Sequence, residues 1–209
     1  MRRMKEVAAF ASTVLAIAAV STTPALAQSW WGGQNSVSDR GVVSFSKKYS
    51  PGQIIVSFGD RRLYHVIRRG QAMSYPIAIP RAQSRWQGVL RLSQKRVNPS
   101  WTPTARMRRE NPKLPSFVPG GHPRNPLGVR ALYLGSTLYR IHGTDAPWTI
   151  GQNVSKGCVR MHNDHVVELF KRTRVGTKVT ATWKRFSTAA VASSASSGGG
   201  SGDQSWRPF

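Results

Sequence analysis

One cysteine, Cys158, lies in the stretch VSKGCVRMHN, residues 154–163, and it is the single thiol of the 209-residue chain. Gly157 precedes it, and Lys156 and Arg160 place positive charge on either side of it. A cysteine with cationic neighbours, close to the start of a helix, has the surroundings that lower a thiol pKa. A thiolate is a nucleophile, so this stretch predicts covalent catalysis. The alternative is a small, buried and inert side chain.

A nucleophilic thiol needs a base, and His142, at the end of a predicted strand, is the candidate to take the proton and later return it to a leaving group. A structural histidine at a strand end is the alternative. The glycine at position 157 allows a tight turn, so we expect the amides of Gly157 and Cys158 to point at one oxygen as an oxyanion hole. One cysteine and scattered histidines lack the spacing of a zinc site, so no metal is expected.

Short β-branched and alternating segments predict most of the secondary structure. The predicted strands are 53–58, 61–67, 71–79, 88–94, 130–134, 137–142 and 177–183. The pair Gly135-Ser136 favours a tight hairpin turn. One helix is predicted over NDHVVELFKRT, with Asn163 as its N-cap. The domain is therefore expected to be mostly β with this helix packed on it.

Residues 98–126 have a different character, because seven prolines interrupt them. Proline removes a backbone donor and fixes φ, so a continuous helix or strand is excluded here. A segment of this length inside a compact domain is usually functional. Trp101 and Phe117 are apolar anchors, which favours an ordered lid over a solvated linker.

Both ends differ in composition from the middle. Residues 1–27 have a positive start, a short apolar run and an A-x-A site, as in a cleaved secretory signal; a membrane anchor or a buried helix is the alternative. Residues 28–50 are expected to be a flexible lead-in with one edge strand at about 41–45, and 187–209 a Gly/Ser-rich flexible tail. The catalytic domain is then expected at 51–186, in a protein exported to the periplasm, with no transmembrane segment after signal cleavage.

The chain carries 31 basic and 8 acidic residues, a formal net charge of +23. Such a charge attracts polyanions. No nucleic-acid-binding signature is present, and an exported protein rarely meets DNA, so nucleic acid is not an expected partner. Anionic components of the cell envelope, among them wall peptide carboxylates, are the expected ones.

The stretch IHGTDAPWTIGQNVSKGCVRM resembles the signature of the L,D-transpeptidase catalytic domain, the YkuD family. That signature is a strand-end His-Gly, a loop, and then Ser-x-Gly-Cys-hydrophobic-Arg. The resemblance extends over about residues 51–183. It implies the family's β-sandwich fold, with short helices and a proline-rich lid loop, and no cofactor.

The resemblance also implies roles by position. Cys158 matches the nucleophile, His142 the base, and Gly143 the residue whose carbonyl orients the imidazole. Ser155, Gly157 and Arg160 match the family's positions around the nucleophile. The residues expected to bind substrate are Ser155, Lys156, Arg160 and Trp148. Arg160 would bind a substrate carboxylate. Lys156 departs from the family, which often has histidine there, and this leaves the substrate detail open.

The implied reaction is cross-linking of peptidoglycan. Cys158 would attack a tetrapeptide stem at meso-diaminopimelate, release D-alanine and pass the acyl group to a second stem. The sequence leaves three other acceptors open: water, a D-amino acid, or an outer-membrane protein. A non-catalytic cationic module that binds the cell wall is the alternative of a different class.

Overall fold

The computed structural model describes residues 40–191, so the predicted signal sequence and most of the predicted tail lie outside the described residues. Within this range the strands are β1 Gly41–Ser44, β2 Ile54–Ser57, β3 Arg62–Arg68, β4 Gln71–Pro76, β5 Ile79–Pro80, β6 Gly88–Val97, β7 Arg130–Leu134, β8 Arg140–His142, β9 Asn153–Ser155, β10 Val159–Arg160 and β11 Lys178–Thr182. The α-helices are α1 Ala105–Glu110 and α2 Asn163–Arg172, and short 3₁₀ helices cover Ala82–Ser84 and Pro147–Thr149. None of these helices has both the length and the apolar character needed to cross a bilayer.

Nine of the described strands form one sheet in the order β1-β4-β3-β2-β11-β6-β7-β8-β10, and β5 pairs with β9 separately. The ten-residue strand β6 joins the two halves of the sheet. Its first part pairs with β11, and its second part pairs with β7. Most neighbours are antiparallel, but β10 runs parallel to β8, and this pairing positions the site described below.

Side chains point alternately to the two faces of each strand, and this alternation determines which of them form the core. On β3, Leu63 faces a large apolar cluster, whereas Tyr64 and Val66 face a smaller one that contains Phe45. The large cluster also takes Leu132 of β7 and side chains of α2. Both halves of the sheet and the helix therefore close on one core, and the expectation of a mostly β fold with few short helices is confirmed.

The packed domain extends beyond the boundaries that composition predicts. β1 pairs with β4 as an edge strand, and Phe45 is buried against Tyr64 and Phe186. Near the C-terminal end of the described range, Ala190 bridges to Val43 of β1. Residues 41–45 and 186–191 thus belong to the domain, because each supplies ring contacts or backbone pairing that the edge of the sheet would otherwise lack.

Two local expectations need correction. The loop between β7 and β8 is longer than a two-residue turn, because its closing bond runs from the amide of Leu134 to the carbonyl of Tyr139. Asn163 is the first residue of α2 and not its N-cap, a position that His162 occupies without a side-chain cap. The side chain of Asn163 is used elsewhere, as described below.

The proline-rich segment is ordered. Trp101 and Val118 exchange two backbone hydrogen bonds of 2.9 and 2.8 Å, which draw its two arms together. α1 lies between them and begins at Ala105, directly after Thr104, whose hydroxyl accepts a hydrogen bond from the amide of Met107. The expected anchor Phe117 is 54% exposed, since the neighbouring Val118 takes the buried position in the bridge.

We predict that Asn125→Ala destabilises the protein by about 2–3 kcal/mol, because three backbone groups lose their partner and two of these hydrogen bonds are buried. The Asn125 amide donates to the carbonyls of Pro99 and Pro119 and accepts from the amide of Leu127. Urea unfolding measures the change. Asn111→Ala, an exposed change in the same segment, should cost less than about 1 kcal/mol. Equal stability of the two variants would show that the segment is not pinned through Asn125.

Candidate active site

The pairing of β8 with β10 brings two distant parts of the chain side by side. Ile141 lies opposite Val159, and His142 lies opposite Arg160. Cys158 stands immediately before β10, so the thiol and the imidazole belong to adjacent strands about 4.8 Å apart.

Alternation decides which side chains point into the large core cluster. Ile141, Val159 and Met161 are fully buried in the large core cluster. Residues directly opposite each other on paired strands point to the same face, and successive residues along a strand alternate between faces. The neighbours of Ile141, Val159 and Met161 along the chain therefore point to the opposite face. This outer face carries Arg140, His142, Cys158 and Arg160.

The ring of His142 is oriented by the backbone. Its Nδ1 lies 2.6 Å from the carbonyl oxygen of Gly143, the contact that the family resemblance implies. A carbonyl only accepts, so Nδ1 carries the proton and Nε2 keeps its lone pair. Burial, and then the charge of Arg160, lower the pKa of His142 to about 3, although the bond to Gly143 opposes this. The imidazole is therefore neutral at physiological pH and able to accept a proton at Nε2.

A side chain of α2 holds the loop after His142. The Asn163 amide donates to the carbonyl of Thr144 (2.9 Å) and accepts from the amide of the same residue (3.1 Å). A Cβ at position 143 would lie 2.1 Å from Asn163 Oδ1, so glycine is required there. The sequence pattern assigned Asn163 to helix capping, and its role in positioning the histidine loop was missed.

The thiol of Cys158 is half-buried, and its hydrogen bond goes to the carbonyl of Leu138 at 3.6 Å. Burial raises the pKa of Cys158, and this outweighs the lowering effect of Arg140 and Arg160. The expectation of a lowered thiol pKa is therefore wrong. Along the chain the strand β10 separates Cys158 from the start of α2, so Cys158 does not belong to the first turn of that helix.

Arg140 is a site residue that the sequence analysis missed. Its guanidinium donates to the same Leu138 carbonyl that accepts from the thiol (3.0 Å), and it lies 4.9 Å from the ring centre of Tyr133. Its Nε is buried without an acceptor among residues 40–191. Arg140 lowers the pKa of Cys158 more than any other charged group. Its position two residues before His142, on the same strand face, was the available signal.

The turn before the nucleophile is closed by its own side chains. The hydroxyl of Ser155 donates to the Cys158 carbonyl, and the amide of Gly157 lies 3.4 Å from this hydroxyl. Gly157 has φ +128°, and a Cβ there would meet the ring of Tyr139 at 2.8 Å. The expected oxyanion hole is therefore not preformed at Gly157, whose amide faces Ser155. Ser155 is buried and shapes the turn, so it is not a surface that substrate contacts.

The proline-rich segment reaches this turn through an ion pair. Glu110, at the end of α1, contacts the ammonium group of Lys156 and also pairs with Arg106. The hydrogen bond from Lys156, together with that from Arg106, lowers the pKa of Glu110. Lys156, expected to bind substrate, thus links the lid to the nucleophile's turn.

The two remaining predicted site residues, Arg160 and Trp148, differ in their exposure to solvent. Arg160 is half-buried beside Cys158, and burial lowers its pKa while the charge of Asp145 opposes that shift. Trp148 is 74% exposed in the short 3₁₀ helix of the loop between β8 and β9.

The structure thus brings Cys158, His142, Gly143 and Arg160 together, and adds Arg140. Within residues 40–191 no group of three or more His, Cys, Asp or Glu side chains is arranged to hold a metal ion. A thiol beside a neutral imidazole with a free Nε2 can carry out acyl transfer with general-base assistance.

Comparison with known proteins gives a family match and several relatives. Residues 51–180 match the family described as the L,D-transpeptidase catalytic domain, YkuD. The chain is 41% identical over 133 residues to "Probable L,D-transpeptidase ErfK/SrfK" of Escherichia coli K12, a match that covers 60% of this chain and 42% of that protein. It is 38% identical over 135 residues to "Probable L,D-transpeptidase YbiS" of the same organism, covering 60% and 43%. The chain therefore spans only about two fifths of the length of these relatives.

Among solved structures, the chain is similar to "L,D-transpeptidase from Mycobacterium smegmatis". The TM-score is 0.49 and the sequence identity is 15%. The superposition covers 62% of this chain and 58% of that one.

We predict that Cys158 reacts with iodoacetamide with a pH midpoint above that of free cysteine, because burial raises the thiol pKa. Arg140→Ala should move this midpoint further up and slow alkylation at pH 7 several-fold, since a nearby positive charge favours the thiolate. Arg69→Ala, an exposed change outside the site, is the matched control. A wild-type midpoint below that of free cysteine, or a lower midpoint in Arg140→Ala, would contradict this account of the electrostatics.

Proposed function

The chain belongs to the L,D-transpeptidase catalytic domain family, and we propose on that premise that it is a cysteine acyltransferase that cross-links peptidoglycan. One observation carries the proposal. Cys158 and His142 share the outer face of two paired strands, and the contact with Gly143 leaves Nε2 of the imidazole free as a base. A non-catalytic wall-binding module would have no need of this tautomer beside a thiol.

The proposed substrate is a peptidoglycan tetrapeptide stem, attacked at its diaminopimelate carbonyl. As the sulfur forms its bond with the carbonyl carbon, the thiol proton passes to Nε2 of His142. The C–N bond to D-alanine then breaks. The leaving amine takes the proton back from the imidazolium, and a thioester on Cys158 remains.

The second half of the reaction uses the same groups. An amine of a neighbouring stem attacks the thioester and loses its proton to His142. The C–S bond breaks, the thiolate recovers a proton, and the product is an amide cross-link between two diaminopimelate residues. Both halves are balanced without a redox partner or a cofactor.

The protonation states support general-base attack. At neutral pH the pair consists of a thiol and a neutral imidazole, because burial raises the pKa of Cys158 and lowers that of His142. The proton must therefore move when substrate is in place. The thiol must also turn from the Leu138 carbonyl toward Nε2.

Substrate contacts follow from position. Arg160 is proposed to bind a stem carboxylate beside the sulfur, and exposed Trp148 to contact the stem across the cleft. The amide of Cys158 is proposed as an oxyanion donor. That of Gly157 can join it only if it turns from Ser155. Lys156 would act mainly through Glu110, by holding the lid.

The acceptor of the acyl group and the cellular compartment of the protein are proposed with less detail than the acylation step. Water in place of the second amine would make an L,D-carboxypeptidase, a D-amino acid would give exchange, and an outer-membrane protein would be attached to the wall. All four outcomes share one acyl-enzyme. The predicted signal and a peptidoglycan substrate together favour the periplasm, where other anionic envelope components are also available to a chain with a net charge of +23.

The test is incubation of the protein with a defined disaccharide-tetrapeptide stem, followed by mass spectrometry of protein and products. We expect a thioester adduct on Cys158, release of D-alanine, and a dimer of stems. Cys158→Ala should lower D-alanine release at least about a thousandfold, because the nucleophile acts as a unit with its base. His142→Gln should show a similar loss, and Arg69→Ala should retain full turnover.

The products separate the alternatives. A tripeptide without a dimer indicates hydrolysis, and incorporation of an added D-amino acid indicates exchange. Binding of the stem with no adduct on wild-type Cys158, also in the presence of a carbapenem, would show that the protein is a binding module and that the proposed reaction is wrong.

A further inference from the structure

A second concave site lies outside the catalytic pair. It is a pocket of about 260 Å³ whose lining includes three arginines and two aromatic rings. The residues used here are Arg61, Arg85, Arg185, Phe58, Trp183 and Asn153, and we refer to them as the arginine pocket. Neither Cys158 nor His142 lines it.

Two of the arginines are held in place through Nε. Arg85 donates from Nε to the carbonyl of Pro80 (2.9 Å), and its guanidinium lies 4.4 Å from the ring centre of Trp183. Arg61 donates from Nε to Asn153 Oδ1 (3.2 Å). A carboxylate bound by two parallel hydrogen bonds can still use the terminal nitrogens of a guanidinium held in this way. These contacts thus orient the two guanidinium groups through Nε and leave their terminal nitrogens to bind a ligand.

The backbone at Arg61 carries strain. Its φ is +53°, in the left-handed region that residues with a Cβ seldom adopt. Such outliers persist where the surrounding structure enforces them, and they are concentrated at binding and catalytic sites. Here the strained turn between β2 and β3 directs Arg61 to Asn153 and the pocket.

The third arginine arrives on the segment after β11. The Lys184 carbonyl accepts from the hydroxyl of Ser57 (2.7 Å), and the amide of Phe186 donates to the carboxylate of Asp60 (3.0 Å). Trp183 and Arg185 both line the pocket, and Phe186 packs against the smaller core cluster. The positions of Trp183 and Arg185 are therefore set by the fold.

The pocket arginines form no ion pair within the described residues. The five ion pairs formed within residues 40–191 involve none of the three pocket arginines. Three guanidiniums around one small cavity with an aromatic floor favour an oxyanion attached to an organic body.

The pocket is connected to the nucleophile's turn. Asn153 begins β9, five residues before Cys158, so the two Cα atoms are at most about 18 Å apart. On the other side, the Phe58 ring lies 6.2 Å from that of Trp86, edge to face. The indole N–H of Trp86 donates to the carbonyl of Gly157 (3.0 Å). The pocket and the nucleophile's turn are thus joined both through β9 and through Trp86.

We propose that the arginine pocket is a remote subsite that binds a free carboxylate of the peptidoglycan stem whose reacting carbonyl lies at Cys158. This inference rests on the proposed function. The pocket binds the stem at a distance from the reacting bond. Its arginines therefore position the stem and set specificity, and they take no part in the chemical step. Their removal weakens binding of the stem and leaves the acylation chemistry unchanged.

The binding experiment uses the Cys158→Ala protein, which cannot turn over. Calorimetry compares a tetrapeptide stem that has free carboxylates with the same stem amidated at the carboxylates of its side chains. Arg85→Ala and Arg185→Ala should each weaken binding of the carboxylate stem about tenfold. The amidated stem should bind weakly to every variant and be insensitive to both changes. Arg69→Ala is the matched control, and Arg85→Lys should recover only part of the affinity because it lacks the planar fork.

A kinetic arm separates this inference from the proposed function. In proteins that keep Cys158, Arg185→Ala should raise KM about tenfold with kcat within about twofold, and should leave the rate of carbapenem acylation unchanged. Arg185 is exposed, so this variant is expected to fold. If wild-type protein is acylated normally but Arg85→Ala and Arg185→Ala bind the carboxylate stem as tightly as the control, the subsite is wrong and the proposed function stands.

Another result would assign the pocket to a different ligand. If both variants keep stem affinity but lose binding to vesicles that contain a phosphorylated lipid, the pocket takes a lipid phosphate and the proposal is overturned. Stem binding that depends on the pocket arginines, in a wild-type protein that forms no adduct, would instead support the subsite and reject the acyltransfer chemistry.

Discussion

The parallel pairing of two very short strands, β8 and β10, is the constraint on which the site depends. β10 has two residues, and it is held on both sides, because Arg160 also exchanges two backbone hydrogen bonds with Ala78. The buried side chains of Ile141, Val159 and Met161 fix which face of these strands points inward. A shift of one residue would bury the polar side chains and expose the apolar ones. The register that completes the core thus also assembles the thiol, the imidazole and two arginines.

Burial of this assembly decides its charge state. Desolvation disfavours the charged form of both reacting groups, and the arginines only partly offset this effect at the sulfur. The resting site therefore differs from that of enzymes that keep a thiolate–imidazolium pair. A neutral thiol is less susceptible to oxidation than a thiolate. Reactivity then depends on a substrate that brings an electrophilic carbonyl to the sulfur.

Local patterns in the sequence predicted the longer strands and the main helix, and they singled out Cys158 and His142 as candidates, but the short strands β9 and β10 were not predicted. β7 spans the predicted residues 130–134. What could not be predicted depends on contacts between distant positions. The side chain of Asn163 binds the histidine loop in place of its own helix end, and residues 41–45 pack only because Tyr64 and Phe186 meet them. The thiol pKa was misjudged because charge can be read from neighbours in sequence, whereas desolvation follows from the folded surroundings.

The central claim is that His142 is a neutral base, protonated at Nδ1 by its contact with Gly143 and lying beside an un-ionised thiol. Nitrogen-15 NMR of protein labelled in histidine measures this state directly. The account predicts the signature of the neutral Nδ1–H tautomer for His142, unchanged from pH 5 to 8, with protonation only as the pH falls toward about 3. An imidazolium signal for His142 at pH 7, lost in Cys158→Ala, would reveal an ion pair at rest and contradict it.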